Sequence, residues 1–186
     1  MPGFKKMKEP NYSSHALLTP ANGLTFLRMV FTPIMLVMIR NDRTGWPTLT
    51  LWIVLCMSDL VDGKLARMYG VSKSGAFLDP LADKFLVLGA MVMLVVAHQF
   101  WWLPVALIAF REVAMSVYRS AVAKGGTSIP ASKPAKYKTL TQQLAVGFAL
   151  APWIGIHATW TAQILLWVSV ALTLATGAQY LRAARQ

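Results

Sequence analysis

The stretch Asp59-Leu-Val-Asp-Gly-Lys-Leu-Ala-Arg67, followed by Gly75-Ala-Phe-Leu-Asp-Pro-Leu-Ala-Asp83, sets four aspartates within or beside long apolar runs. Asp59 and Asp62 stand three residues apart, and Asp79 and Asp83 stand four apart, so each pair shares one face of a helix. A carboxylate at membrane depth costs a few kcal/mol, and four of them need compensating positive charge. Because the connection between the two stretches is short, we expect the four carboxylates to converge.

Carboxylate oxygens without nitrogen or sulfur ligands are typical of a site for Mg²⁺ or Mn²⁺. The alternative is a set of structural ion pairs with Lys64, Arg67 and Lys84. The three histidines lie far apart, which argues against a histidine-based metal site. Cys56 is the single cysteine, so an intrachain disulfide is excluded.

Outside these stretches the 186-residue chain is strongly apolar, with 56% hydrophobic residues gathered in long runs. Runs of about 20 residues are long enough for a helix to cross the hydrocarbon core of a bilayer. The sequence therefore predicts an all-α integral membrane protein with six transmembrane helices, preceded by a membrane-surface segment over residues 1–21. The predicted spans are Asn22–Ile39, Trp46–Tyr69, Gly75–Ala97, Trp101–Ala123, Ala135–Ile154 and Thr159–Leu181.

The basic residues predict the orientation of these spans. The net charge is +11, and the lysines and arginines cluster at the N-terminus, in alternate connections and at the C-terminus. The positive-inside rule then places both termini in the cytoplasm of a multi-pass protein of the plasma membrane. This distribution favours anionic lipid headgroups over nucleic acid as the partner of the positive charge.

A second group of charges predicts a site for an anionic substrate. Arg111 and Arg119 are eight residues apart on one face of the fourth span, and Lys136 and Lys138 begin the fifth. Cations converging at the cytoplasmic surface suit a phosphate-bearing acceptor. Topology alone explains the lysines, but it explains Arg111 poorly, because Arg111 lies well inside an apolar run. Two interpretations of Glu112 stay open: a structural partner of a nearby arginine, or a part of the site. The same two stay open for Arg28.

The pattern Asp59-x-x-Asp62-Gly63-x-x-Ala66-Arg67, then Gly75-x-x-x-Asp79-x-x-x-Asp83, resembles the signature of the CDP-alcohol phosphatidyltransferase family. The resemblance implies a homodimer of six-helix domains, here residues 22–186, each with a metal site facing the cytoplasm. By resemblance, Asp59, Asp62, Asp79 and Asp83 hold two divalent ions, and Asp83 is also the general base. The residues that contact the CDP-linked lipid are, by resemblance, Thr19, Asn22, Thr25, Gly63, Arg67, Ser72 and Gly75.

The acceptor is indicated by a second resemblance. Arg111-Glu112 with Arg119, then Lys136-x-Lys138-Thr139-x-x-Gln142, is similar to the branch of this family that transfers a phosphatidyl group from CDP-diacylglycerol to glycerol 3-phosphate. The alternatives within the family are phosphatidylglycerol, as in cardiolipin synthesis, and an inositol phosphate. An alternative from another class is a cation transporter lined by the same carboxylates. The clustering of the acids at one membrane face argues against it.

Overall fold

The computed structural model describes residues 20–41, 45–69, 75–124, 133–152 and 155–183, with side chains described for 23–41, 45–58, 61, 81–118, 137–152 and 160–178. The described residues are helical apart from short turns, and none of them forms a strand. The prediction of an all-helical chain with six helices is therefore confirmed, whereas residues 1–19 of the predicted surface segment lie outside the described part. The helices are α1 (Pro20–Arg40), α2 (Trp46–Tyr69), α3 (Gly75–Val96), α4 (Trp102–Lys124), α5 (Lys133–Leu150) and α6 (Gly155–Ala183).

The helix ends differ from the predicted spans by up to four residues, and local sequence explains the clearest cases. Helix α1 begins at Pro20, whose fixed φ suits the first helical position and whose missing N–H needs no partner there. Helix α5 ends at Leu150 rather than Ile154, because the ring of Pro152 disfavours helical backbone in the residue before it.

The end of α3 is closed by a left-handed turn. His98 has φ 56°, its N–H bonds the carbonyl of Val95, and the N–H of Gln99 bonds the carbonyl of Leu94 at 2.9 Å. This pair of bonds is the Schellman pattern, which satisfies carbonyls at a helix C-terminus. Gln163 of α6 donates to the carbonyl of Gln99 at 3.0 Å, so α6 fixes the turn in place.

The helices pack around α1, α3 and α5. Helix α1 lies against α2 and α3, α3 also contacts α4 and α5, and α6 packs on α4 and α5. Gly89 lets α3 approach α1 closely, since a Cβ there would lie 3.1 Å from Leu36 Cδ1. Trp52 of α2 donates its indole N–H to the carbonyl of Gln143 on α5 at 3.2 Å. Helices α2 and α3, which carry the aspartates, and α5, which carries Lys136 and Lys138, therefore belong to one packed unit.

Several charged and polar side chains lie inside the bundle and large apolar side chains lie on its outside, which is the reverse of a soluble domain. Arg28, Glu112, Lys138 and Gln142 are buried, whereas large apolar side chains such as Phe110 are exposed on every helix. Soluble monomers rarely expose apolar surface on this scale, whereas the polar residues of membrane helices face the bundle interior. Among the described residues, two helical stretches, Gly23–Arg40 and Trp160–Ala178, are long and apolar enough to cross a bilayer.

Candidate active site

A buried arginine connects α1 to α2 and α3, the two helices that carry the aspartate motif. Arg28 of α1 is fully buried and forms an ion pair with Asp83 of α3. Its Nη2 donates to Ser58 Oγ of α2 at 3.4 Å. Ser58 immediately precedes Asp59, and Asp83 lies one turn beyond Asp79. One guanidinium thus brings together a residue next to the first aspartate pair and the last residue of the second pair.

The four aspartates stand on continuous helix, as the spacing predicted. Asp59 and Asp62 lie in α2, and Asp79 and Asp83 lie in α3, so each pair shares a helical face. Asp83 is the one of the four with a described side chain, and 36% of that side chain remains exposed. Within the described side chains no group of three metal-ligating residues occurs, and the side chains of the other three aspartates are outside that set.

The donor chemistry of these positions fits a hard divalent cation. Carboxylate oxygens are the ligands that Mg²⁺ and Mn²⁺ prefer. The half-buried Asp83 carboxylate keeps an exposed surface while Arg28 offsets its charge. A divalent ion at this place therefore remains compatible with the residues that the structure describes.

The residues predicted to contact the CDP-linked lipid are described unequally. Thr25 is buried on α1, three residues before Arg28, so the two side chains share the face of α1 that points into the bundle. Asn22, Gly63, Arg67 and Gly75 are placed on α1, α2 and α3 as backbone only. Thr19 and Ser72 lie outside the described residues.

A second polar cluster joins α4, α5 and α6. Glu112 Oε1 accepts from Lys138 Nζ of α5 and from Arg111 Nη1 at 3.1 Å. Arg111 Nη2 donates to Thr176 Oγ1 of α6 at 2.9 Å. The structure thus brings together Arg111 and Lys138, both predicted to bind the acceptor, through a carboxylate whose role the sequence left open. Arg119 and Lys136 lie on α4 and α5 with side chains that are not described.

The position of Arg111 is fixed from three sides. Besides Glu112 and Thr176, the backbone of Gly177 lies against the guanidinium, since a Cβ there would be 3.4 Å from Arg111 Nε. That Nε is buried and has no hydrogen-bond acceptor among the described residues.

Two contacts in this region were not predicted from the sequence. Arg28 pairs with Asp83, and Lys84 donates to Ser116 Oγ on α4. The signal for Arg28 was present in the sequence, because a charge inside an apolar run needs a counter-ion. The contact of Lys84 depends on how α3 packs against α4, which spacing within one helix does not reveal.

Comparison with known proteins places these features in a family. Residues 18–175 match the family model described as CDP-alcohol phosphatidyltransferase. The chain is 35% identical over 167 residues to "Probable phosphatidylglycerophosphate synthase" of Mycobacterium tuberculosis strain H37Rv, covering 86% of this chain and 78% of that protein. It is 35% identical over 171 residues to "CDP-diacylglycerol–glycerol-3-phosphate 3-phosphatidyltransferase" of Escherichia coli K12, covering 87% and 92% of the two chains.

A protein of the same name from Salmonella choleraesuis is 36% identical over 171 residues, again covering 87% of this chain and 92% of that one. The matched region includes the aspartate helices α2 and α3 and the residues Arg111, Glu112 and Lys138 of the second cluster. The chain therefore belongs to the CDP-alcohol phosphatidyltransferase family.

Proposed function

We propose that this protein is an enzyme of phospholipid biosynthesis that transfers the phosphatidyl group of CDP-diacylglycerol to glycerol 3-phosphate. The products are phosphatidylglycerophosphate and CMP. The observation that carries the choice of acceptor is the pair of cations held on Glu112, the buried Lys138 and the partly buried Arg111. A phosphate monoester supplies the negative charge that such a pair requires. The names of the relatives from E. coli and Salmonella give the same acceptor.

The chemistry is a direct displacement at phosphorus. Asp83 accepts the proton of the acceptor hydroxyl, and that oxygen attacks the phosphorus that carries diacylglycerol. The bond from this phosphorus to the bridging oxygen breaks, and CMP leaves with the electron pair. Arg28 orients the Asp83 carboxylate from the buried side, which leaves the exposed side toward the substrates.

Asp59, Asp62, Asp79 and Asp83 would hold two divalent ions, Mg²⁺ or Mn²⁺. Bound there, such ions supply positive charge against the pyrophosphate of the CDP-linked lipid. Thr19, Asn22, Thr25, Gly63, Arg67, Ser72 and Gly75 bind the CDP moiety. Thr25 supports this assignment by its place on the same face of α1 as Arg28.

We also propose that all six helices span the plasma membrane, with both termini and the active site on the cytoplasmic side. The exposed apolar side chains of all six helices support contact with lipid. Trp46, Trp101, Trp102 and Trp160 are exposed near the predicted outer ends, where interfacial tryptophans collect. The homodimer stays a prediction, which mass measurement of the detergent-solubilised protein tests.

The test of the reaction is CMP release from CDP-diacylglycerol by purified protein with Mg²⁺. Glycerol 3-phosphate, phosphatidylglycerol and an inositol phosphate are compared as acceptors. We expect release that depends on glycerol 3-phosphate. Release only with phosphatidylglycerol or with the inositol phosphate contradicts the proposed acceptor, and a protein that releases no CMP with any acceptor contradicts the proposed reaction.

A further inference from the structure

Lys84 stands beside the aspartate motif in the sequence, and it contacts α4, the helix that carries Glu112. Its Nζ donates to Ser116 Oγ of α4. Ser116 stands one turn after Glu112 and donates to the Glu112 carbonyl at 2.6 Å. Consecutive residues of a helix point about 100° apart. Asp83 is therefore directed toward α1 and Lys84 toward α4, from one turn of α3.

The charges of this cluster do not balance within the described residues. Lys84 and Arg111 both exert a repulsive electrostatic effect on Lys138. Arg111 and Lys138 share one carboxylate, Glu112, and together with Lys84 these cations exceed it by two positive charges. Cations gathered in a poorly solvated place repel one another and favour an added anion. A phosphate monoester, which carries close to two negative charges at neutral pH, matches this excess.

The hydrogen-bonding groups of the cluster are also underused. An ammonium has three N–H donors, and Lys84 and Lys138 each use one of them within the described part of the chain. Arg111 uses one N–H of each terminal nitrogen. Within the described residues, all three cations therefore have further donors for the oxygens of one phosphate group.

We propose that Lys84 is a third phosphate-binding residue of the acceptor site, positioned by Ser116 between the base and the pair of Arg111 and Lys138. This inference rests on the proposed function and names a further substrate contact for it. Because Lys84 and Asp83 are adjacent on α3, one helical turn holds the acceptor at both ends. Lys84 binds the phosphate, and Asp83 receives the proton of the attacking hydroxyl.

The test compares Lys84→Gln with Arg40→Gln, which neutralises an exposed cation at the end of α1. Loss of a charge-assisted hydrogen bond raises the KM for glycerol 3-phosphate about tenfold in Lys84→Gln, with the KM for CDP-diacylglycerol unchanged. Inhibition by inorganic phosphate weakens by the same factor. Lys84→Arg keeps most of the affinity, Ser116→Ala shifts the same KM in the same direction, and Arg40→Gln shifts neither.

An unchanged KM for glycerol 3-phosphate in Lys84→Gln overturns the inference, and so does an increase in the KM for CDP-diacylglycerol alone. If Lys84→Gln has no turnover, binding is read from the concentration of glycerol 3-phosphate that raises the Tm of the protein. Equal protection of variant and wild type then overturns the inference. A wild-type protein that never transfers to glycerol 3-phosphate fails the proposed function itself, whatever Lys84→Gln does.

Discussion

Arg28 carries its charge into the interior of the bundle, where its side chain is fully excluded from solvent. A buried guanidinium is retained only with a counter-charge and hydrogen-bond acceptors, and Asp83 and Ser58 provide them. The same contact withdraws one side of the Asp83 carboxylate from solvent and fixes its orientation. Arg28 is thus a positioning residue for the proposed base.

Arg28→Met removes this counter-charge, and we expect both stability and turnover to fall. Breaking a buried ion pair from one side costs about 3 kcal/mol, and the exposed fraction of Asp83 lowers that figure. The measurement is thermal unfolding in detergent together with kcat for CMP release. Ser58→Ala is the matched control: it removes the long hydrogen bond from Arg28 and a local one to the Leu55 carbonyl but leaves the ion pair, so it should cost about 1 kcal/mol.

Asp83→Asn separates proton transfer by Asp83 from the binding of CDP-diacylglycerol. The amide keeps the shape of the side chain and cannot accept a proton, so turnover should cease while CDP-diacylglycerol still protects the protein against unfolding. Near-normal turnover in Asp83→Asn would remove Asp83 as the base. A normal kcat in Arg28→Met would remove the positioning role of Arg28.

At Lys138 the prediction concerns substrate affinity. Lys138→Gln removes a buried cation from the acceptor site, and we expect the KM for glycerol 3-phosphate to rise about tenfold with the KM for CDP-diacylglycerol unchanged. Glu112 keeps Arg111 as a partner in this variant, which limits the loss of stability. Tyr137→Phe, at the exposed neighbouring position, is the control. Equal KM values in the two variants would exclude Lys138 from the site.

Among the elements, α3 has the central position, because it contacts α1, α4 and α5. Its Gly89 allows the close contact with α1 on which the Arg28–Asp83 pair depends. Both Cδ atoms of Leu36 lie 3.1–3.2 Å from where a Gly89 Cβ would be. A distance this short requires Leu36 to move when any side chain is added.

Gly89→Val should therefore destabilise the protein by about 1–3 kcal/mol more than Gly23→Val, since a Cβ at Gly23 meets no atom within 4 Å. Both variants carry the same change in helix propensity, so the difference isolates the packing of α3 on α1. Thermal unfolding in detergent measures it. Equal Tm values for the two variants would show that the contact is not tight in solution.

Across the whole molecule, α3 contacts both polar clusters, and apolar side chains cover the outside. Arg28 and Asp83 belong to the first cluster, and Lys84 and Ser116 connect α3 to the second. This arrangement holds the proposed base and the Glu112 cluster in one bundle.

If the four aspartates hold divalent ions, EDTA abolishes CMP release and Mg²⁺ or Mn²⁺ restores it. Thermal unfolding recorded with and without EDTA is the control, because it shows whether the fold survives removal of the ion. Full activity in excess EDTA, with an unchanged Tm, would contradict the assignment of the four aspartates as ligands.

Much of this could be predicted from the sequence, because the strongest signals act within one helix. Apolar runs gave the six helices, and charges inside those runs pointed to Asp83 and Arg111. Contacts between helices were not predictable in the same way. The partners Arg28–Asp83 and Lys84–Ser116 are 55 and 32 residues apart, and packing rather than spacing brings them together. The C-terminal end of α5 differs from its prediction because Pro152 interrupts an apolar run that otherwise continues to Ile154.

The most direct test of the account is the identity of the lipid product. Purified protein is incubated with CDP-diacylglycerol, Mg²⁺ and ¹³C-labelled glycerol 3-phosphate, and the extracted lipids are analysed by mass spectrometry. The account predicts phosphatidylglycerophosphate that carries the labelled glycerol, formed in equal amount to CMP. Consumption of CDP-diacylglycerol without label in any lipid would contradict it.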